Sequence, residues 1–330
     1  MKKRSVISLV AGLALVAGLA GCSTSSGGSA STDSTTNADK QLNIWYVNPL
    51  TSYPAWAASM KKFEDEAAAG GYKATAVGPN KLDTAANVSQ IEQAIADEAD
   101  GVIFCNTDPT SFASTIKKAQ AAGVVMVTIG CIDDVSDYSV GTDNVAFGET
   151  AADTIAAGAG KNAVVAIIST DQTTPNQLAQ VNAFKAAIAD KYPGITVAAW
   201  ESDNSDTSVA AQKITASIQA NPSIDAVWCV EGQCPGGVPT GLKEAGKKPG
   251  DIYVLGIDTV NTTLAALKDG WLGATLNQCW FDATQLATDL IKAKASGNAN
   301  PQQSWGIGVD QVATANLPYK GCPPSLIPSL

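Results

Sequence analysis

The chain has 330 residues, enough for two domains at about 100–200 residues each, and 45% of them are hydrophobic. It carries 31 acidic against 21 basic residues, a formal net charge of −10, no histidine and one arginine, Arg4. That balance excludes the basic footprint a nucleic acid needs, and the missing histidine excludes Ser-His-Asp and Cys-His catalysis and every His-ligated metal site.

The N-terminus reads as an export signal. A basic "MKKRS" precedes the 15-residue apolar run "VISLVAGLALVAGLA", which is short of the ~20 residues of a membrane span. It ends in "LAGC", a bacterial lipobox pattern, so residues 1–21 are expected to be a lipoprotein signal peptide and Cys22 the lipid-modified N-terminus. Residues 22–40, rich in Ser, Thr and Gly, cannot bury a core and read as a tether. The expected location is the outer face of the cytoplasmic membrane, held by the lipid anchor alone.

Folding begins near Gln41. "LNIWYV" reads as a strand, and "YPAWAASMKKFEDEAAAGG" as a helix with Pro54 in its first turn and a Gly pair at its end. "YKATAV" is a strand; "DTAANVSQIEQAIADEA" is a helix with Asp83 as cap and Val88, Ile91 and Ile95 on one face. "DGVIFC", "TSFASTIKKAQAAG" and "VVMVTI" continue as strand, helix, strand. After "YSVGTDN" the pattern restarts: "AVVAIIS", "NQLAQVNAFKAAIADKYPG", "ITVAAW", "TSVAAQKITASIQANP", "IDAVWCV", "GGVPTGLKEAG" and "DIYVLGI" alternate in the same way. Such alternation means βαβ units and parallel sheets. The fold class expected is α/β, two doubly wound lobes facing each other across a cleft at the carboxyl ends of their strands.

Signals for chemistry are sparse. "AAGAGKNA" lacks the spacing of a phosphate-binding loop. "DNSDTSVAAQ" lacks the Gly and terminal Glu of a calcium loop, and Asp206 or Thr207 reads as a helix cap. Asp133–Asp134 reads as solvated loop. No catalytic residue, cofactor or metal is expected.

The phrases "SQIEQAIADEADGVIF", "STIKKAQAAGVVMVTI", "SVGTDNVAFGETAADTI", "NAFKAAIADKYPGITV", "NPSIDAVWC" and "VLGIDTVNTTLAALKDGWLGATLNQ" together resemble the type I periplasmic-binding-protein family, and within it the ribose-, rhamnose- and autoinducer-2-type solute-binding proteins of ABC importers. The resemblance implies two lobes joined by a three-strand hinge, with Asp143–Asn144 at the first crossing and Gln278 at the last. The expected lobes are 41–143 plus 279–301, and 144–278 plus 302–330. It implies a monomer that closes on a small sugar, polyol or related solute and is read by an ABC permease and its ATPase; the alternative is a sensor presenting its ligand to a signalling receptor.

Carried over residue by residue, the resemblance implies a ligand set. Tyr53 and Trp56 would pack on a C–H face. Asn106, Asn176, Gln233 and Gln278 would exchange hydrogen bonds with hydroxyls, and Glu231 and Asp258 would accept them. Sugar-binding members commonly carry Asp-Arg after the fourth strand, where this chain has Gly130–Cys131. The guanidinium fork is missing, which implies a smaller, linear or less hydroxylated ligand.

Beyond Cys22 six cysteines remain, an even set in an exported chain. Cys131 could be a nucleophile, a metal ligand, half of a disulfide or part of a pocket. Cys105 and Cys131 both end strands of one lobe, so a Cys105–Cys131 bond is expected, with Cys234–Cys279 as a second and Cys229 and Cys322 left over.

Overall fold

The structure, a computed structural model, describes residues 41–328 and Leu330. The expected signal peptide, the Cys22 anchor and the tether lie outside the described residues.

The first lobe runs β1 (Asn43–Val47), α1 (Pro54–Gly70), β2 (Lys73–Val77), α2 (Thr84–Ala96), β3 (Gly101–Phe104), α3 (Pro109–Ala121), β4 (Val125–Ile129) and β5 (Tyr138–Thr142). The second runs α4 (Asn144–Gly158), β6 (Val164–Ser169), α5 (Pro175–Lys191), β7 (Thr196–Ser202), α6 (Thr207–Ala220), β8 (Ala226–Cys229), α7 (Cys234–Glu244), β9 (Tyr253–Ile257), α8 (Asn261–Lys268) and β10 (Ala274–Asn277). The chain then returns through α9 (Thr284–Ala295) to β11 (Ser304–Ile307) and β12 (Asp310–Val312). Helix starts follow the expected chemistry. Asp83 accepts from the Ala86 amide, and Asp206 from those of Ser208 and Val209.

The two sheets have one topology. Their orders are β11-β5-β4-β3-β1-β2 and β12-β10-β9-β8-β6-β7. All pairs are parallel except β10 with β12. Each sheet is covered on both faces. Ile44, Phe63, Leu290 and Trp305 fill one side of the first sheet, and Val102, Phe112, Ile116 and Met126 the other. In the second, Phe147, Phe184 and Trp228 pack on one side, and Ile214, Val238 and Leu242 on the other. Both sheets read as near-continuous apolar runs because parallel strands are buried on both faces.

The chain passes between the sheets after β5, after β10 and between β11 and β12. The Asp143 amide donates to the Ile307 carbonyl at 3.0 Å, tying the first crossing to the third. β11 pairs with β5, so residues 304–307, expected in the second lobe, join the sheet of the first.

Candidate functional site

All candidate loops follow strands and meet at one place. A cavity of about 700 Å³ is lined from the first lobe by the residues after β1, β3 and β4, and from the second by those after β6, β8, β9 and β10. Parallel strands leave their carboxyl ends pointing to one side, so two sheets of one topology set their ligand-facing loops against each other.

Tyr53 sits at the start of α1, where Pro54 fixes the backbone for the first turn. Its phenol crosses the cleft and donates to Asp258 Oδ2 at 2.5 Å. Asp258 follows β9, is 1% exposed and has φ 59°. Its other oxygen accepts from Gln278 Nε2 at 3.1 Å. Burial pushes the Asp258 carboxyl up, while the Tyr53 and Gln278 donors pull it back down. Burial, then the Asp258 charge, holds Tyr53 well above the ordinary phenol range. Gln278 stands at the second crossing, not at the last as the resemblance implied, because the chain crosses once more between β11 and β12. It accepts from Thr142 Oγ1 at 3.3 Å and Gln180 Nε2 at 3.4 Å, which joins the Tyr53–Asp258 pair to the first crossing.

Trp56 packs on Trp280, ring centroids 4.0 Å apart, and both line the cleft. Gly130 makes this possible. Its φ of +77° suits glycine, and a Cβ there would meet Trp56 Cη2 at 3.0 Å and Trp280 at 3.3 Å. The indoles occupy the space beside Gly130–Cys131, so this wall is apolar. Trp280 had no sequence signal: it lies in a single 3₁₀ turn just after Cys279, whose φ is 58°.

Asn176, Glu231 and Gln233 also line the cleft. Asn176 is not the cap of α5; Thr174 holds that position, and Asn176 Oδ1 is buried with no partner. Gln233 Oε1 accepts from Thr207 Oγ1 at 3.3 Å. Glu231 is 4% exposed, and Oε1 receives no donor. Burial raises its carboxyl well above the ordinary range, and the neighbouring Asp203 raises it further; burial likewise lifts Asp203 to about 6. Asp203 and Asp171 were not anticipated. Asp171 lines the cleft and caps its own loop, accepting from the Thr173 and Thr174 amides at 2.6 Å each.

Asn106 departs from expectation. It is 2% exposed, its Nδ2 donates to Asp133 Oδ2 at 2.8 Å, and Thr107 and Asp108 take its place in the lining. Asp133 is correspondingly a loop-organising group, accepting also from the Ser136 amide and hydroxyl.

Cys105 and Cys131 are joined, Cα atoms 5.4 Å apart, at the cleft rim. The expected Cys234–Cys279 bond is replaced by Cys229–Cys234 and Cys279–Cys322. Cys234 opens α7, which folds back over the end of β8 and brings it within 5.6 Å of Cys229, Cα to Cα. The C-terminal tail carries Cys322 to the second crossing. Among the described residues, no group of three His, Cys, Asp or Glu could hold a metal, and no helix is long and apolar enough to cross a membrane.

Two matched lobes, three crossings and a cleft lined from both sides, with an apolar wall and buried polar groups, define a two-lobed solute receptor. The chain belongs to the type I periplasmic-binding-protein family of sugar ABC transporter solute-binding proteins: the periplasmic binding protein domain model matches residues 44–299. The family is one of solute-binding proteins, not an enzyme class. The chain is 27% identical over 247 residues to the ribose import binding protein of Bacillus subtilis, spanning 73% of this chain and 79% of that one. It is 27% identical over 267 residues to the D-allose-binding periplasmic protein of Escherichia coli, spanning 76% and 84%. In fold it is similar to an ABC transporter solute-binding protein of Burkholderia graminis solved with D-arabinose, with TM-score 0.80, 24% identity, and 86% of this chain and 99% of that one covered.

Proposed function

We propose that this chain is the extracytoplasmic, lipid-anchored receptor of an ABC importer, which closes its lobes on a small sugar, polyol or related molecule and presents the closed form to a permease. The observation that carries the reading is the convergence of both lobes on one cleft, bridged by Tyr53 and Asp258. Closure about a hinge is a rigid-body change that a membrane partner can read. The Trp56–Trp280 wall suits a C–H face, and the amides and carboxylates opposite suit hydroxyls.

A thermal-shift screen of the purified chain against pentoses, hexoses, tetritols, pentitols and furanone-type molecules tests the solute. A ligand at 100 times its Kd adds about 2.7 kcal/mol of stability. A flat screen removes the carbohydrate assignment. The anchor has its own test: Cys22→Ser should shift the protein from the membrane fraction to the soluble one.

A further inference from the structure

We propose that the cleft selects a solute with a protonated amine on a hydroxylated frame, an amino sugar or amino polyol, over its neutral counterpart. This rests on the solute-receptor reading above and narrows it.

The cleft has a one-sided charge. Asp108, Asp171, Glu231 and Asp258 reach its lining, and among the described residues no lysine does; Arg4 is the chain's one arginine. The lysine whose field reaches the nearby acids, Lys81, acts on Asp206, at the exposed start of α6.

Each of the four carboxylates draws on donors of the protein, and Glu231 on the Gln233 and Cys234 amides. Asp108 accepts from the Thr110 and Ser111 amides and the Ser111 hydroxyl. Asp171 is served by Thr173 and Thr174. Asp258 holds Tyr53 and Gln278. Glu231 differs. It is 96% withdrawn from solvent by its 4% exposure, yet no donor of the protein reaches Oε1, and its neighbour Asp203 has an Oδ2 in the same condition. Glu231, in the lining, is thus packed against Asp203, which is fully buried and outside the lining, with no lysine or arginine in the lining beside them. Asn176 adds a third buried oxygen without a donor, again in the lining.

The buried polar atoms left open in the lining are therefore acceptors. An ammonium group is the complement: it offers three donors and no acceptor. Its charge offsets the Glu231–Asp203 pair, which otherwise needs a shared proton. Across the cleft, Trp56 and Trp280 present aromatic surface that attracts a cation and tolerates a sugar's C–H face. A neutral sugar can meet the acceptors with hydroxyls but leaves the acid pair to its shared proton.

The test is isothermal titration of the purified full chain with matched pairs: D-glucosamine against D-glucose, D-galactosamine against D-galactose, and 1-amino-1-deoxy-D-glucitol against D-glucitol. N-acetyl-D-glucosamine serves as the uncharged control. The expected result is at least about tenfold tighter binding of an amine than of its neutral partner, a difference of about 1.4 kcal/mol. Glu231→Gln should abolish that preference and leave weak neutral binding. The wild-type comparison needs no variant, and Asp203→Asn provides a second one if Glu231→Gln does not fold. Equal or tighter binding of the neutral members overturns the proposal and leaves the receptor reading intact. No heat from any of these probes, charged or neutral, overturns the proposal, and the thermal-shift screen then decides the carbohydrate assignment separately.

Discussion

The Tyr53 phenol of one lobe and the Asp258 carboxylate of the other meet at 2.5 Å across the cleft. Gly232, in the loop after β8, lies so close beneath the same ring that a Cβ there would stand 2.1 Å from Tyr53 Oη. The pair is a contact that exists only when the lobes are together.

Tyr53→Phe leaves a buried Asp258 oxygen without its donor. An unsatisfied buried acceptor costs about 1–3 kcal/mol, more when charged. The expected outcome is a lower melting temperature and a larger radius of gyration by small-angle X-ray scattering. An unchanged radius would show that the bond does not hold the lobes together.

Gly232→Ala should open the cleft by a different route, steric rather than electrostatic. The new methyl displaces the Tyr53 ring from Asp258, so scattering should again report an expanded molecule. Ligand affinity should fall at least as far as in Tyr53→Phe.

The Glu231–Asp203 pair makes stability depend on pH. Asp203 titrates near 6 in the folded chain against an ordinary 3.8, and Glu231 is raised as well. Between those values the folded state holds protons that the unfolded state has released. The Asp203 contribution to stability is therefore greatest below pH 3.8 and is lost as pH rises through about 6, and the raised Glu231 carboxyl adds a loss of the same sign. Thermal melts from pH 4 to 8 should show this trend. Glu231→Gln, whose amide can donate to Asp203, should flatten it and raise the melting temperature at pH 7.5.

Loop length ranks the disulfides. They link residues 26, 5 and 43 apart in sequence. Loop-closure entropy assigns roughly 3.5, 2 and 4 kcal/mol to them respectively. Paired Cys→Ser variants should lose stability in the order Cys279–Cys322, Cys105–Cys131, Cys229–Cys234. Peptide mapping without reduction should recover Cys229 linked to Cys234; a Cys234–Cys279 peptide would contradict the structure.

The βαβ frame was legible because buried parallel strands are apolar throughout and their helices carry caps and apolar stripes. β5 and β11 were not, since "YSVGT" and "SWGI" mix Gly and Ser with apolar residues and gain order by pairing with each other across a long chain separation. Tyr53, Trp56, Glu231, Asp258 and Gln278, named from the resemblance, line one cleft, whereas Asn106 turned to Asp133, a partner 27 residues away that no local pattern announces. Cysteine pairing failed for a similar reason. Several strand ends and loop starts carry a cysteine, and only the return of α7 and of the tail selects among them.

The Cys279–Cys322 bond has a topological consequence. It closes a covalent ring that starts at the second crossing, contains α9, β11, the third crossing and β12, and returns to its starting point. A single backbone cut between 280 and 321 therefore opens the ring without releasing a fragment. Such a nicked chain would migrate as one species until reduced, and its two sheets would stay linked by uncut covalent paths.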